Sequence, residues 1–193
     1  MKKKDEFNII VTGVGGQGLI TLLKILAEAA LIEGYDIRTS ELHGLSQREG
    51  SIRAHIRFGK KVFSPLIETG KADLILGLEI SEALRTVNFL NKKTILLINK
   101  KFISYWDGPL EKEVLKKIKG LPVKFYFVEA SRVCQKQIGL EILAGIFLLG
   151  FGVSRGLIPL RPTSILEAIK KIIPQKFLKE NKKAFTLGQE YEQ

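Results

Sequence analysis

The sequence predicts a three-layer α/β/α domain with a mostly parallel sheet and a C-terminal helical appendage. Three observations carry this. Short β-branched runs alternate with helix-length amphipathic segments, a glycine-rich turn joins the first run to the first helix, and two helices replace the alternation after Pro162. Strands that alternate with helices require right-handed crossovers, which lay helices over both faces of the sheet.

The run Phe7 to Thr12 is apolar, β-branched and stopped by glycines, as a buried parallel strand is. From Gln17 to Glu33, Leu19, Leu22, Leu23, Leu26, Ala29 and Ala30 recur at helical spacing, and Gly34 supplies the stop. Tyr35 to Ser40 reads as a second strand. Ser51 to Phe58 alternates strictly, with Ile52, Ala54, Ile56 and Phe58 on one face and Arg53, His55 and Arg57 on the other, the pattern of a half-exposed strand. Its cationic face is either a docking stripe or an ordinary solvated surface, and the solvated reading is preferred for Arg57.

Ala72 to Gly77 and Thr94 to Asn99 read as buried strands around a helix from about Ser81 to Leu90. Leu110 to Lys119 is an amphipathic helix, Val123 to Val128 a further strand, and Ser131 to about Gly150 one long helix. The closing helices run from Ser164 to Ile173 and from Pro174 to about Tyr191. With no long linker or repeat, residues 1–193 are expected to form a single domain, with an α/β core over about 5–160 and a helical segment over about 162–193.

Composition narrows the chemistry. Thirty-one Lys and Arg against 20 Asp and Glu give a net charge of +11, which favours anionic partners. Nucleic acid is the less favoured of these, because the lysines are scattered and no aromatics interleave with them in a basic groove. The lone Cys134 excludes an intrachain disulfide, and with no Cys-x-x-Cys pair and only His43 and His55, no metal or cluster site is expected here. The apolar run Ile142 to Val153 falls short of the roughly 20 residues that span a bilayer. Neither a membrane segment nor an export signal is read, so a cytoplasmic protein is expected.

Gly13-Val14-Gly15-Gly16-Gln17-Gly18 fits G-x-G-x-x-G, directly after a strand and before a helix, the Rossmann-like context. Gly13, Gly15, Gly16, Gln17 and Gly18 are therefore candidate cofactor-binding residues, since backbone amides at a helix start attract phosphate. Glu41 stands near the spacing of about 20 residues at which a dinucleotide site places its ribose-binding acid. The alternative is that the glycines only pack the helix against the sheet. The polar stretch from Ser40 to Ser51 lies where the second strand should end, the side on which α/β sheets bind ligands. Glu41, His43, Gln47, Arg48 and Ser51 form its candidate ligand or interface loop, with Arg48 able to clamp a phosphate or carboxylate through two bonds.

The opening Asn8 to Gly18 segment and the run Ser40-Glu41-Leu42-His43-Gly44 on to Gln47-Arg48-Glu49-Gly50-Ser51-Ile52 together resemble the gamma-type subunit or domain of 2-oxoacid:ferredoxin oxidoreductases, especially the small subunit of the indolepyruvate type. The resemblance covers most of the chain. It implies a heteromer that decarboxylates an aryl 2-oxoacid, passes two electrons to ferredoxin and releases an acyl-coenzyme A. It also implies that thiamine diphosphate, Mg and iron–sulfur clusters reside in a large, cysteine-rich partner subunit, with no catalytic residue in this chain and coenzyme A as a possible shared ligand. Where the family pattern reads Gln-Arg-Gly-Gly, this chain has Gln47-Arg48-Glu49-Gly50. Alternatives are a gamma subunit acting on pyruvate or another 2-oxoacid, a free-standing dinucleotide-binding oxidoreductase, and a nucleic-acid-binding protein.

Overall fold

The computed structural model describes residues 5–43, 50–106 and 108–192. Six strands form one sheet: β1 (Glu6–Val14), β2 (Asp36–His43), β3 (Ser51–Gly59), β4 (Leu74–Gly77), β5 (Ile95–Asn99) and β6 (Lys124–Val128). Their spatial order is β2-β3-β1-β4-β5-β6. β1, β4, β5 and β6 pair in parallel, while β3 runs antiparallel to both β1 and β2. The sheet is thus mostly parallel, and β3 is the reversed strand.

Helices cover both faces. On one side lie α1 (Leu19–Ile32), α4 (Ala130–Ile138), α5 (Ala144–Ser154), α6 (Pro162–Ile172) and α7 (Leu178–Glu190), packed on Ile9, Val11, Ile56, Phe58, Leu74 and Leu97. α5 is buried from Ala144 to Val153, because α7 closes over it. The two helices meet backbone to backbone: a Cβ on Gly188 would stand 1.9 Å from the Phe147 carbonyl oxygen. The opposite face carries α2 (Ile80–Leu84) and α3 (Glu111–Lys119), which enclose Ile10, Ile75, Leu96, Ile98, Val114 and Ile118. Among the described residues no helix is long and apolar enough to cross a membrane.

Three expectations from sequence need correction. The long helix from Ser131 to Gly150 is two helices. α4 ends at Gly139, whose φ of 84° and whose amide bonds to the Cys134 and Gln135 carbonyls form a left-handed cap; a 3-10 turn over Glu141–Leu143 then leads into α5. The expected helix from Ser81 to Leu90 is the short α2 followed by a 3-10 turn, Val87–Phe89. The Thr86 hydroxyl donates to the Ala83 carbonyl at 2.7 Å, a local bond that competes with helix continuation.

The third correction concerns β3. Its polar face is covered, because the strand lies between β1 and β2 and the segment after it folds back across it. His55 is buried, accepts a hydrogen bond at Nδ1 from the Ile67 amide at 3.0 Å, and meets the Phe89 ring edge-on. Arg57 has an ordered role as well: Nε donates to Asn8 Oδ1, one terminal nitrogen donates to the Ser64 and Leu66 carbonyls, and the other pairs with Glu6. The alternation was real, but the face that looked solvated is covered, with His55 buried and Arg53 and Arg57 partly so.

Candidate functional site

β1 stops at Val14 and the chain turns through Gly15, Gly16 and Gln17 into α1. Gly16 (φ 90°) and Gly18 (φ 77°) adopt left-handed conformations that a side chain would strain. Gln17 turns inward. Its Oε1 accepts from the Val14 amide at 2.9 Å and crosses so close to Gly13 that a Cβ there would lie 2.5 Å from it. Its own amide bonds the Val14 carbonyl at 3.3 Å, and the Gly15 amide donates to the Gly50 carbonyl at 3.0 Å. Part of the donor set that a phosphate-binding turn would offer is therefore used in bracing the turn. The Leu19, Ile20 and Thr21 amides at the start of α1 still have no partner within their helix, and they lead with positive partial charge.

Beside this turn opens a cleft of about 170 Å³, lined by Gly16, Gln17, Leu78, Asn99, Lys101, Ser131, Glu141, Ile142 and Ala144. Every strand of the parallel set contributes at its carboxyl end: Gln17 follows β1, Leu78 follows β4, Asn99 closes β5 and Ser131 follows β6. The cleft straddles β1 and β4, where the chain changes its direction of travel across the sheet, the usual ligand position in open α/β sheets. Asn99 is buried; its amide nitrogen donates to the Leu78 carbonyl at 3.0 Å and to the Ser131 hydroxyl at 2.8 Å, and its oxygen accepts from the Ser131 amide at 3.1 Å. Lys101 Nζ lies 2.5 Å from Glu141, and that bond holds the Glu141 carboxyl below its ordinary range. The result is a preformed polar cleft with one cation, one carboxylate, two carboxamides and a hydroxyl.

Of the residues picked out by sequence, Gly16 and Gln17 line the cleft, Gly18 lines an adjoining hollow with Gln17, and Gly13 and Gly15 lie in the turn behind them. Ser51 lies at its side. As the first residue of β3 it pairs with Val14, and its hydroxyl donates to the buried Glu82, whose other oxygen faces Arg85 Nε at 3.3 Å. The Gly15–Gly50 bond and the Ser51–Glu82 bond fasten the glycine turn to the foot of the polar loop, so the two sequence motifs are physical neighbours. Gln47 and Arg48, with Glu49, lie outside the described residues. Glu41 and His43 belong to β2, which runs three residues past Ser40, and Glu41 pairs with Ala54 of β3. Because β3 separates β2 from β1, Glu41 sits two strands from the glycine turn, where a dinucleotide fold has its acid on the neighbouring strand.

Asn99, Lys101, Ser131 and Glu141 were missed in the sequence. The signal for the first three was their position at or just past the carboxyl ends of predicted strands. Gly139, an interior glycine in an otherwise helical pattern, was the signal for the break that brings Glu141 into the cleft. The other buried acid, Glu79, caps α2 by accepting from the Glu82 amide at 2.8 Å and holds the Ile103 amide at 3.1 Å; burial pushes its carboxyl up. Burial likewise raises the Cys134 thiol to about 12, which makes it inert. Among the described residues no three His, Cys, Asp or Glu side chains converge as a metal site would need.

Fold and cleft together define an α/β domain of the doubly wound class, with its cleft at a strand switch point. Residues 8–191 match the family Pyruvate ferredoxin/flavodoxin oxidoreductase, and the chain belongs to that family. It is 37% identical to the indolepyruvate oxidoreductase subunit IorB of Pyrococcus horikoshii, over 95% of this chain and 94% of that one. Identity to the pyruvate/ketoisovalerate oxidoreductases common subunit gamma of Pyrococcus abyssi is 28%, over 93% and 96%. The crystal structure of a pyruvate oxidoreductase subunit from Thermotoga maritima superposes with a TM-score of 0.74 at 26% identity, covering 97% of each chain.

Proposed function

We propose that this chain is the small subunit of a cytoplasmic, heteromeric indolepyruvate-type 2-oxoacid:ferredoxin oxidoreductase. The observation that carries this reading is end-to-end similarity to indolepyruvate oxidoreductase subunits, at higher identity than to the pyruvate/ketoisovalerate subunit. The partner is a large subunit bearing thiamine diphosphate, Mg and iron–sulfur clusters, which supply carbanion stabilisation and single-electron transfer. Ferredoxin is met through the complex. Neither nucleic acid nor membrane takes part.

This chain's residues act by binding and positioning. The start of α1, Lys101 and the Asn99–Ser131 pair suit one anionic group, and coenzyme A brings phosphates of that kind to the same edge. A cleft of about 170 Å³ accepts a phosphate and its immediate surroundings but not a whole dinucleotide, so most of the coenzyme would lie against the partner. Ser51, with Gln47 and Arg48 ahead of it in the sequence, is assigned to the same ligand or to the subunit interface, with Arg48 as a second anion-binding cation.

The test is reconstitution. Alone, even with metal and thiamine diphosphate added, the chain should reduce no viologen dye with indolepyruvate; co-expressed with the large subunit it should, and faster than with pyruvate. Oxoacid-dependent dye reduction by the chain alone sinks the reading. In the active complex Arg48→Ala should raise the coenzyme A KM or weaken assembly by roughly 30-fold or more, the scale of losing a charged hydrogen-bond partner. Glu49→Gly should leave activity intact or lower that KM.

A further inference from the structure

Beyond β5 the chain runs along the carboxyl edge of the sheet, and there it carries a tryptophan that nothing in the fold covers. Trp106, the only tryptophan of the chain, is fully exposed. Tyr105 is 44% exposed beside it. With Leu84, Phe102 and Arg85 the two rings line a groove of about 610 Å³. A water-exposed tryptophan forgoes a large hydrophobic gain, and tryptophan and arginine are the residues that dominate protein–protein binding when desolvated.

The charge of the groove selects its occupant. Arg85 is 65% exposed, and the carboxylate it meets at 3.3 Å is the buried Glu82, already engaged by Ser51. A second copy of this chain would bring the same +11 charge and the same Arg85 to the contact, so self-pairing meets like-charge repulsion. A segment that offers apolar side chains to the groove and a carboxylate to Arg85 gains on both counts.

We infer that the groove around Trp106 is the seat of an acidic, apolar segment of the large partner subunit, an inference that rests on the heteromer reading above. Trp106 is its central anchor and Arg85 its polar clamp.

The single tryptophan makes the test direct. The chain is grown with 5-fluorotryptophan and titrated with the unlabelled large subunit, while fluorine NMR follows the sensitivity of the resonance to H2O against D2O. On assembly that sensitivity should vanish. Trp106→Ala should weaken the dissociation constant by roughly 30-fold or more and Arg85→Glu by about tenfold or more, whereas Trp106→Phe should keep most of the affinity. Phe63→Ala, which removes an exposed side chain beyond the other end of β3, should bind as the unchanged chain does. Unaltered affinity in Trp106→Ala, or a resonance still sensitive to D2O in the complex, overturns the inference and leaves the heteromer standing. Loss of sensitivity in the isolated chain as its concentration rises overturns it in favour of a second copy. Failure of the unchanged chain to bind any large subunit defeats the heteromer reading and this inference together.

Discussion

The two ends of the sheet contrast in how they treat charge. At the amino end, Arg57 meets two carbonyls, a carboxamide and a carboxylate, and the segment after β3 is strapped down by Asp36 Oδ2 on the Val62 amide and His55 on the Ile67 amide. At the carboxyl end, Lys101 and Glu141 pair across an open cleft, and Trp106 stands in water. The polar groups named at the first end bind partners within the domain and hold the fold, although His55 Nε2 stays buried without one; those at the second are arranged for something outside it. Mutations at the two ends should therefore be read by different instruments.

The largest effect is expected from Arg57→Ala. It leaves the carbonyls of Ser64 and Leu66, the Asn8 oxygen and Glu6 without their shared partner, a loss of about 3 kcal/mol. Thermal unfolding should show Tm lower by roughly 6–12 °C, while coenzyme A KM in the folded complex stays unchanged. A raised KM with normal Tm would erase the contrast.

Lys101→Met should behave in the opposite way. The Lys101–Glu141 pair is partly exposed, so stability should change by less than about 1 kcal/mol, while coenzyme A KM in the reconstituted enzyme rises by roughly 10- to 30-fold through loss of the cleft's cation. Gln17→Glu sharpens the point. The new carboxylate still accepts from Val14, so Tm should hold, but its charge beside the helix start should raise the KM by about tenfold. If Gln17→Glu unfolds the protein and leaves KM alone, the glycine turn is a packing device.

The smallest effect, absent at neutral pH, comes from His55. Burial, with Arg53 and Arg57 adding repulsion, holds its pKa below the ordinary histidine value. The folded state refuses a proton that the unfolded state takes up near pH 6.5. Stability is therefore complete above about pH 6.5 and falls as pH drops through and below that value. Chemical denaturation between pH 7.5 and 5 should show the decline, and His55→Gln should remove most of it at a fixed cost in stability.

Much of the fold was legible because it is written locally. The strands from Phe7, Ala72, Thr94 and Val123 appear within a few residues of expectation, since apolar β-branched runs bounded by glycine or charge have few other solutions. The first helix and the two final helices follow their apolar stripes in the same way. The glycine turn was legible as a turn, and its position after β1 made a site at the carboxyl edge a fair inference. Glu41 was placed in sequence by spacing alone, and spacing cannot show that β3 would come to lie between its strand and the turn.

What the sequence determined by itself was the identity of most elements, the glycine-rich turn after the first strand and the membership signalled by two separated motifs. Tertiary structure alone decided that β3 enters the sheet reversed, burying His55 and partly covering Arg57, and that Gly15 meets Gly50 so that the two motifs form one region. It also decided that the cleft takes Asn99, Lys101, Ser131 and Glu141 from three segments. These contacts join residues far apart in the chain, and no periodicity within a segment reports on its neighbour across the sheet; register and strand order are settled only when the competing burial of whole faces is resolved.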